Sequence, residues 1–278
     1  MYTAAFNYKR ANSLAEALAL LQQDPEAKLL AGGHSLIPAM KLRLAAPSTL
    51  IDISRLPELK GVRREGDTLV VGAATTYREL EDNPLVREHC PLLPQVLQHV
   101  GDPAVRSKGT LGGSLAHADP AADLPAAMLA LGARMKAMGP TGSRVIEADE
   151  FFTGMFSTAL NEKEILTEIH IPIRSGAKTA YAKFPHPASR YAIVGVAVVV
   201  DGGTVRAAVT GAGEHAMRLT KLEEALSGKE LTAENIAQAC QNLLSPEALN
   251  EDRAASRTYR AHLVDVMAKR ALMQALGL

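Results

Sequence analysis

Apolar residues recur along this chain at two spacings, and the spacing shifts as the chain proceeds. Leu14, Ala17, Leu18 and Leu21 fall at i, i+3, i+4 and i+7, one face of a helix. Ser13 and Glu16 have the spacing of a capping box at its start, and Asp24-Pro25 ends it. Short apolar runs at 28–31 and 49–53 predict strands on either side of a compact segment that reaches Pro47. The first fifty residues therefore read as a small β–α–β unit with Gly32-Gly33 at a strand exit.

The pattern then predicts a strand over 68–73 and a short helix opened by a second capping box, Thr76 with Glu79. A helix over 92–100 stops at Gly101-Asp102-Pro103. Residues 110–114 read as a second glycine-bearing loop. A helix follows over 123–131, with Asp123 favoured at its positive end. Residues 164–171 alternate as a strand does. Pro172 and Arg174-Ser175-Gly176 mark a boundary near 175. Beyond it, strands are predicted at 179–184, 192–200 and 204–211, the last two joined by the hairpin turn Asp201-Gly202-Gly203. Helices are predicted near 218–227, 232–244 and 256–275. The expected class is α+β: an N-terminal domain over 1–175, divided at about 56 into 1–56 and 57–175, and a C-terminal α+β domain over 176–278 built from a small antiparallel sheet with helices.

Composition narrows the chemistry. Thirty basic residues balance thirty acidic ones over 278 residues, so the chain lacks the basic excess of a nucleic-acid binder. Its two cysteines, Cys90 and Cys240, cannot build a four-cysteine zinc or iron–sulfur site or a disulfide scaffold. The longest apolar run, 192–200, is strand-sized and far short of the about 20 residues that span a bilayer. The N-terminal segment has no apolar signal core, so a cytoplasmic location is expected.

Candidate chemistry concentrates in two segments. Ala31-Gly32-Gly33-His34-Ser35 follows a strand. Glycines there let a ligand approach the backbone, and consecutive N–H groups can form an anion nest, although an ordinary strand–turn–helix connection has the same composition. Gly109-Thr110-Leu111-Gly112-Gly113-Ser114 repeats the logic, and two such loops suit a ligand with two phosphates. Neither is a P-loop or a G-x-G-x-x-G fingerprint, which argues against a Rossmann fold. Asp119 and Asp123 lie four apart, so both can face one pocket; there a carboxylate suits a sugar hydroxyl, or one of them caps a helix. His34 and His117 have no Glu or His at i+3 or i+4 and read as hydrogen-bonding groups, not metal ligands.

The run from Leu30 through Gly32, Gly33, His34, Ser35 and Pro38 to Leu50-Ile51-Asp52-Ile53 resembles the first FAD loop of the flavoprotein (medium) subunit of molybdenum hydroxylases, the carbon monoxide dehydrogenase and xanthine dehydrogenase group. Gly101-Asp102-Pro103 through Thr110-Leu111-Gly112-Gly113-Ser114 to Asp119-Pro120-Ala121-Ala122-Asp123 is similar to its second. The resemblance covers essentially the whole chain. It implies an FAD-binding domain of the type shared with vanillyl-alcohol oxidases (PCMH-type), holding FAD non-covalently. Carried over residue by residue, it places cofactor contacts on Leu30, Ala31, Gly32, Gly33, His34, Ser35 and Leu36, and on Gly101, Thr110, Gly112, Gly113 and Ser114. Asp123 matches the acidic nucleotide position, Leu166 an apolar flavin contact, Lys183 a lysine near the flavin and Tyr191 an aromatic beside the isoalloxazine ring. Read from the residues alone, Leu166 fits plain core, Lys183 a solvated strand position and Tyr191 strand-start packing. No catalytic residue and no metal ligand are assigned. The chain departs from the family at Pro185-His186-Pro187-Ala188-Ser189-Arg190, where prolines restrict the backbone and access to the flavin face is expected to differ.

The resemblance implies an electron-transfer subunit of a dimer of heterotrimers. Electrons come from a molybdenum cofactor on a large subunit through [2Fe–2S] clusters on a small subunit, and leave to an external acceptor. Two alternatives stand beside it: a stand-alone flavin oxidoreductase acting on its own substrate, and an assembly protein that has lost FAD.

Overall fold

The computed structural model describes residues 2–278. Its first unit comprises β1 (Asn7–Arg10), α1 (Leu14–Gln23), β2 (Lys28–Leu30), α2 (Leu36–Lys41) and β3 (Thr49–Asp52). The strands form a parallel sheet in the order β1-β3-β2. Parallel strands need crossover connections, and α1 supplies the one from β1 to β2, on the far side of β3. Its inward residues Ala17 and Leu21 pack with Ile51, Ile53, Leu56 and Leu59. One arm of the first capping box forms: Ser13 Oγ accepts from Glu16 N–H at 3.1 Å. The Glu16 carboxylate turns instead to the N–H of Asn12, at 2.8 Å. Strand β1 is exposed at all four positions, so no alternation announced it.

The second unit runs through β4 (Val62–Glu65), β5 (Thr68–Gly72), α3 (Tyr77–Asp82), α4 (Pro84–His89), α5 (Leu92–Leu97), α6 (Pro103–Arg106), α7 (Leu111–His117) and α8 (Asp123–Leu131). It continues with β6 (Arg134–Gly139), β7 (Gly142–Glu147), α9 (Ala148–Phe151), β8 (Phe152–Gly154), β9 (Ser157–Thr158) and β10 (Ile165–Pro172). Five strands pair antiparallel in the order β4-β5-β10-β6-β7. The second capping box forms with both arms at the start of α3. All nine residues of α8 are buried, as expected of a helix apolar all round.

The third unit holds β11 (Lys178–Pro185), β12 (Ala192–Asp201), β13 (Thr204–Thr210), β14 (Met217–Arg218), α10 (Thr220–Leu226), α11 (Ala233–Ala239) and α12 (Arg257–Leu276). Its antiparallel sheet has the order β11-β12-β13-β14. The unbroken apolar run of β12 reflects cover on both faces. Val194, Val196 and Val198 pack toward α12, while Ala197 and Val199 share a core with α8.

Helix α8 is therefore held between the two larger units, and β13 secures both its ends. Arg206 donates to the Leu129 and Ala130 carbonyls, at 2.9 and 3.2 Å, at the C-terminal end. Buried Thr210 donates to the Ala122 carbonyl at 2.6 Å, with Pro120 O at 2.9 Å, at the N-terminal end. Cys90 and Cys240 are free, buried and lodged in separate cores.

On the outer face of the five-stranded sheet, Glu168 meets Arg63 (2.7 Å), Lys136 (3.0 Å) and His170 (3.0 Å). Burial opposes its charge, and the hydrogen bonds from His170, Arg63 and Lys136 override that, bringing it down to about 2. The Arg144 guanidinium, at 2.7 and 2.8 Å, holds Glu164 at about 2 as well.

Two outcomes follow from this packing. Thr210→Val keeps the shape but strands the Ala122 carbonyl, since Pro120 O keeps the Gly211 N–H, so it should lower the unfolding free energy by about 2 kcal/mol in urea titrations, while Thr210→Ser should stay near the parent. Both glutamates have native pKa values below their ordinary 4.5, so their stabilisation is present above that pH and is lost as pH falls toward about 2. The double variant Glu164→Gln/Glu168→Gln should melt a few degrees lower at pH 7, about 2–4 °C per kcal/mol lost. The gap to the parent should close below pH 3.

Candidate functional site

Beyond β2 the chain turns through Gly33, at φ +74°, into α2. A Cβ on Gly32 would overlap the Lys108 carbonyl oxygen and lie 3.0 Å from Gly109 Cα. Only glycine lets this turn press backbone to backbone against the segment before α7. Among the described residues, the main-chain N–H groups of Gly32, Gly33, His34, Ser35 and Leu36 have no acceptor. Ser35 precedes α2 without capping it, which leaves its hydroxyl uncommitted. Five successive open amides beside two residues that lack side chains make a cradle suited to anionic oxygens.

The second glycine segment differs from its sequence reading. Thr110 N-caps α7, its Oγ1 accepting from Gly113 N–H at 3.1 Å, and both Gly112 and Gly113 belong to the helix. Leu111 N–H is taken by Thr75 O, Gly112 N–H by Ala73 O and Ser114 N–H by Thr110 O. These amides are spent internally, so residues 110–114 form no second nest. They contribute close approach: a Cβ on Gly113 would stand 3.9 Å from Ala31 Cβ. The two glycine segments thus meet, one with open amides and the other as its support.

Next to them lies a buried charge. Asp123, the first residue of α8, is 6% exposed. Its carboxylate accepts from the Tyr181 hydroxyl and from Lys183 Nζ at 2.9 Å. The Lys183 side chain is only 1% exposed, and its ammonium also donates to the His99 carbonyl at 3.0 Å. Tyr181 and Lys183, two apart on β11, project from one face. Burial pushes the Asp123 carboxyl up, against the ammonium of Lys183 and the Tyr181 hydroxyl. Burial, and then the adjacent Asp123 charge, push the Tyr181 phenol well up. Burial takes the Tyr77 phenol to about 12, opposed by the Ser114 hydroxyl. Burial, then Asp119 and Asp123, raise Tyr191. Burial, Lys183 and Arg190 lower His99.

Tyr191 is the open member of the group, 46% exposed. The proline-bearing segment before it is a closed turn. His186 Nδ1 accepts from the N–H groups of Ala188 and Ser189, both at 3.2 Å. His186 N–H donates to Tyr191 O at 2.7 Å. Behind the turn, buried Arg260 of α12 donates to Ile193 O (2.6 Å), Gly211 O (2.7 Å) and Asp252 (2.6 Å). Gly211 N–H in turn holds Pro120 O at 2.8 Å, and Asp119 closes its own loop by accepting from Ala121 N–H at 2.8 Å.

Of the residues singled out in the sequence, the fold brings Gly32 to Lys108 and Gly109, sets Ala31 opposite Gly113, and joins Asp123 to Lys183 with Tyr191 close by. Leu30 ends β2 and Leu36 begins α2, on either side of the cradle. Leu166 is 6% exposed, in the core at the bulge of β10. Gly101 makes the positive-φ turn before α6. His34 is exposed, and the His117 ring packs 5.1 Å from that of Phe156. Tyr77, Tyr181, His186 and Arg260 carry the site yet had no role in the sequence reading. Only Tyr181 had a visible signal, its i, i+2 spacing from Lys183. Among the described residues, no group of three or more His, Cys, Asp or Glu could hold a metal ion, and no helix is long and apolar enough to cross a membrane.

Known proteins share this fold. Residues 4–174 match the family described as FAD binding domain in molybdopterin dehydrogenase, and residues 179–275 match the CO dehydrogenase flavoprotein C-terminal domain. The carbon monoxide dehydrogenase medium chain of Hydrogenophaga pseudoflava is 40% identical over 98% of this chain and 97% of its own. The glyceraldehyde dehydrogenase medium chain of Sulfolobus acidocaldarius is 34% identical over 99% of each. The solved structure of the Hydrogenophaga pseudoflava carbon monoxide dehydrogenase that lacks the Mo-pyranopterin moiety superposes with a TM-score of 0.95 at 41% identity, covering 100% of this chain and 99% of that one. The chain therefore belongs to the FAD-binding medium chains of the molybdopterin dehydrogenases, with both the FAD domain and the C-terminal domain of that family.

Proposed function

We propose that the cradle between β2 and α2 holds the pyrophosphate of a non-covalent FAD, and that the chain is the electron-transfer medium subunit of a molybdenum hydroxylase. The row of five unpaired amides from Gly32 to Leu36, in a chain of this family, carries the reading. Bound FAD supplies the redox chemistry, taking up and releasing electrons at its ring. The amides and the Ser35 hydroxyl bind anionic oxygens without a basic patch, which suits a chain of zero net charge. Leu30, Ala31 and His34 line that side. Thr110, Gly112, Gly113 and Ser114 support the cradle from the other, with the Gly101 turn at its edge. Asp123 is placed to accept from a ligand hydroxyl, and Lys183 balances its charge. Tyr191 offers an aromatic face to the ring, and Leu166 backs it from the core.

Electron supply is assigned to other chains: a small [2Fe–2S] subunit and a large molybdenum-cofactor subunit, in a dimer of heterotrimers. The two cysteines support this, because each lies alone in a separate core and a cluster needs four ligands. Relatives of almost the same length are named for carbon monoxide and for glyceraldehyde, so the choice of substrate is assigned to the large subunit. The free thiols fit a cytoplasmic location.

The purified protein should carry flavin absorption or acquire it when mixed with FAD. Gly32→Ala should weaken FAD binding at least about tenfold, or 1.4 kcal/mol, with unchanged circular dichroism; undiminished affinity would remove the pyrophosphate from this cradle. Affinity purification from the native host should bring down a molybdenum-containing chain and an iron–sulfur chain in equal amounts. Recovery of a flavin-loaded chain with neither would favour the stand-alone oxidoreductase.

A further inference from the structure

Glycine in the middle of a buried strand costs stability, about 0.5–1 kcal/mol against alanine, and β12 carries one at Gly195. The reason stands on the neighbouring strand. A Cβ there would overlap the Tyr181 hydroxyl oxygen, lie 2.9 Å from Tyr181 Cζ and 3.2 Å from Thr210 Cγ2. Gly195 pairs with Lys183 and Ala197 with Tyr181. The tyrosine ring therefore leans diagonally across the bare face of Gly195, and that path delivers its hydroxyl to Asp123.

We infer that Tyr181 is a positioning residue of the flavin site, its hydroxyl fixing the Asp123 carboxylate and, through it, the Lys183 ammonium. This rests on the FAD reading above. One carboxylate oxygen is held by Tyr181 and the other by Lys183, so the group cannot swivel. Lys183 is tied in turn to the His99 carbonyl, in the turn that leads to Gly101. The network thus joins β11, the start of α8 and the turn after α5. Asp123 is faced by Tyr181 and Lys183 from β11, Asp119 from the preceding loop, Tyr77 from α3 and Tyr191 from the turn before β12. Lys183 and Arg190 both face His99. Among the described residues, Lys183 is the only cation bonded to the Asp123 carboxylate, so the tyrosine proton is the second donor that keeps this buried carboxylate ionised.

Tyr181→Phe fills the same space without that proton. A neutral Asp123 scarcely needs it and an ionised one does. The melting-temperature gap between parent and variant, measured on the cofactor-free full chain, should therefore widen as pH rises from 5 to 8. In the FAD-loaded state the parent should bind equally well at pH 6 and pH 8. Tyr181→Phe should bind about tenfold more weakly at pH 6 than at pH 8, as Asp123 takes up a proton. Gly195→Ala, which leaves every polar group in place but blocks the path of the ring, should show the same pH dependence of FAD binding. A melting gap that is constant with pH overturns the positioning role, since filling space alone has no pH dependence. Failure of the parent itself to bind FAD would overturn the flavin reading and leave the cofactor-free result standing.

Discussion

A carboxylate taken out of water must be met by donors, and the donors for Asp123 stand on a strand from the other half of the chain. Parting α8 from β11 would leave an anion and a cation unpartnered, a loss of about 3–5 kcal/mol for a buried pair. The neighbouring contacts act in the same direction. Arg206 and Thr210 hold the two ends of α8, and Arg260 ties the mouths of β12 and β13 together behind the Asp119 loop. The N-terminal and C-terminal units share one core as a result, and Tyr181, Ala197 and Val199 lie in it beside α8.

The two glycine segments look alike in sequence and behave differently in space. In one, the amides find no acceptor among the described residues. In the other, a threonine cap and the segment after β5 take every amide from Leu111 to Ser114. The physical difference is secondary structure. A helix start capped by Thr110 consumes its own donors, whereas a positive-φ turn at Gly33 leaves them open. A neutral surface then offers open amides on one side only, with the helix start as a rigid wall.

Much of this was legible from residue order. The α1 face, the capping pair at Thr76, the hairpin at Asp201-Gly202-Gly203 and the buried β12 run each had a local signature that the fold keeps. What escaped has local causes too. β1 is exposed throughout and lacks periodicity. β6 alternates, but with Met135 and Ala137 set among Arg134 and Lys136, too weak a contrast to stand out. α7 was hidden because paired glycines read as a loop, although Thr110 three residues before Gly113 was its cap. At the site, Asp123, Lys183 and Tyr191 were visible as motif positions. The residues that hold them, Tyr181, His186 and Arg260, depend on pairings between distant strands that no local pattern reports.

The placement of sulfur has a consequence for durability. Burial pushes the thiols of Cys90 and Cys240 up to about 12, so almost none of either exists as thiolate near neutrality. Peroxide attacks the thiolate and starts the ladder from sulfenic acid toward irreversible oxidation there. A chain of an FAD-binding family thus keeps its two cysteines chemically silent.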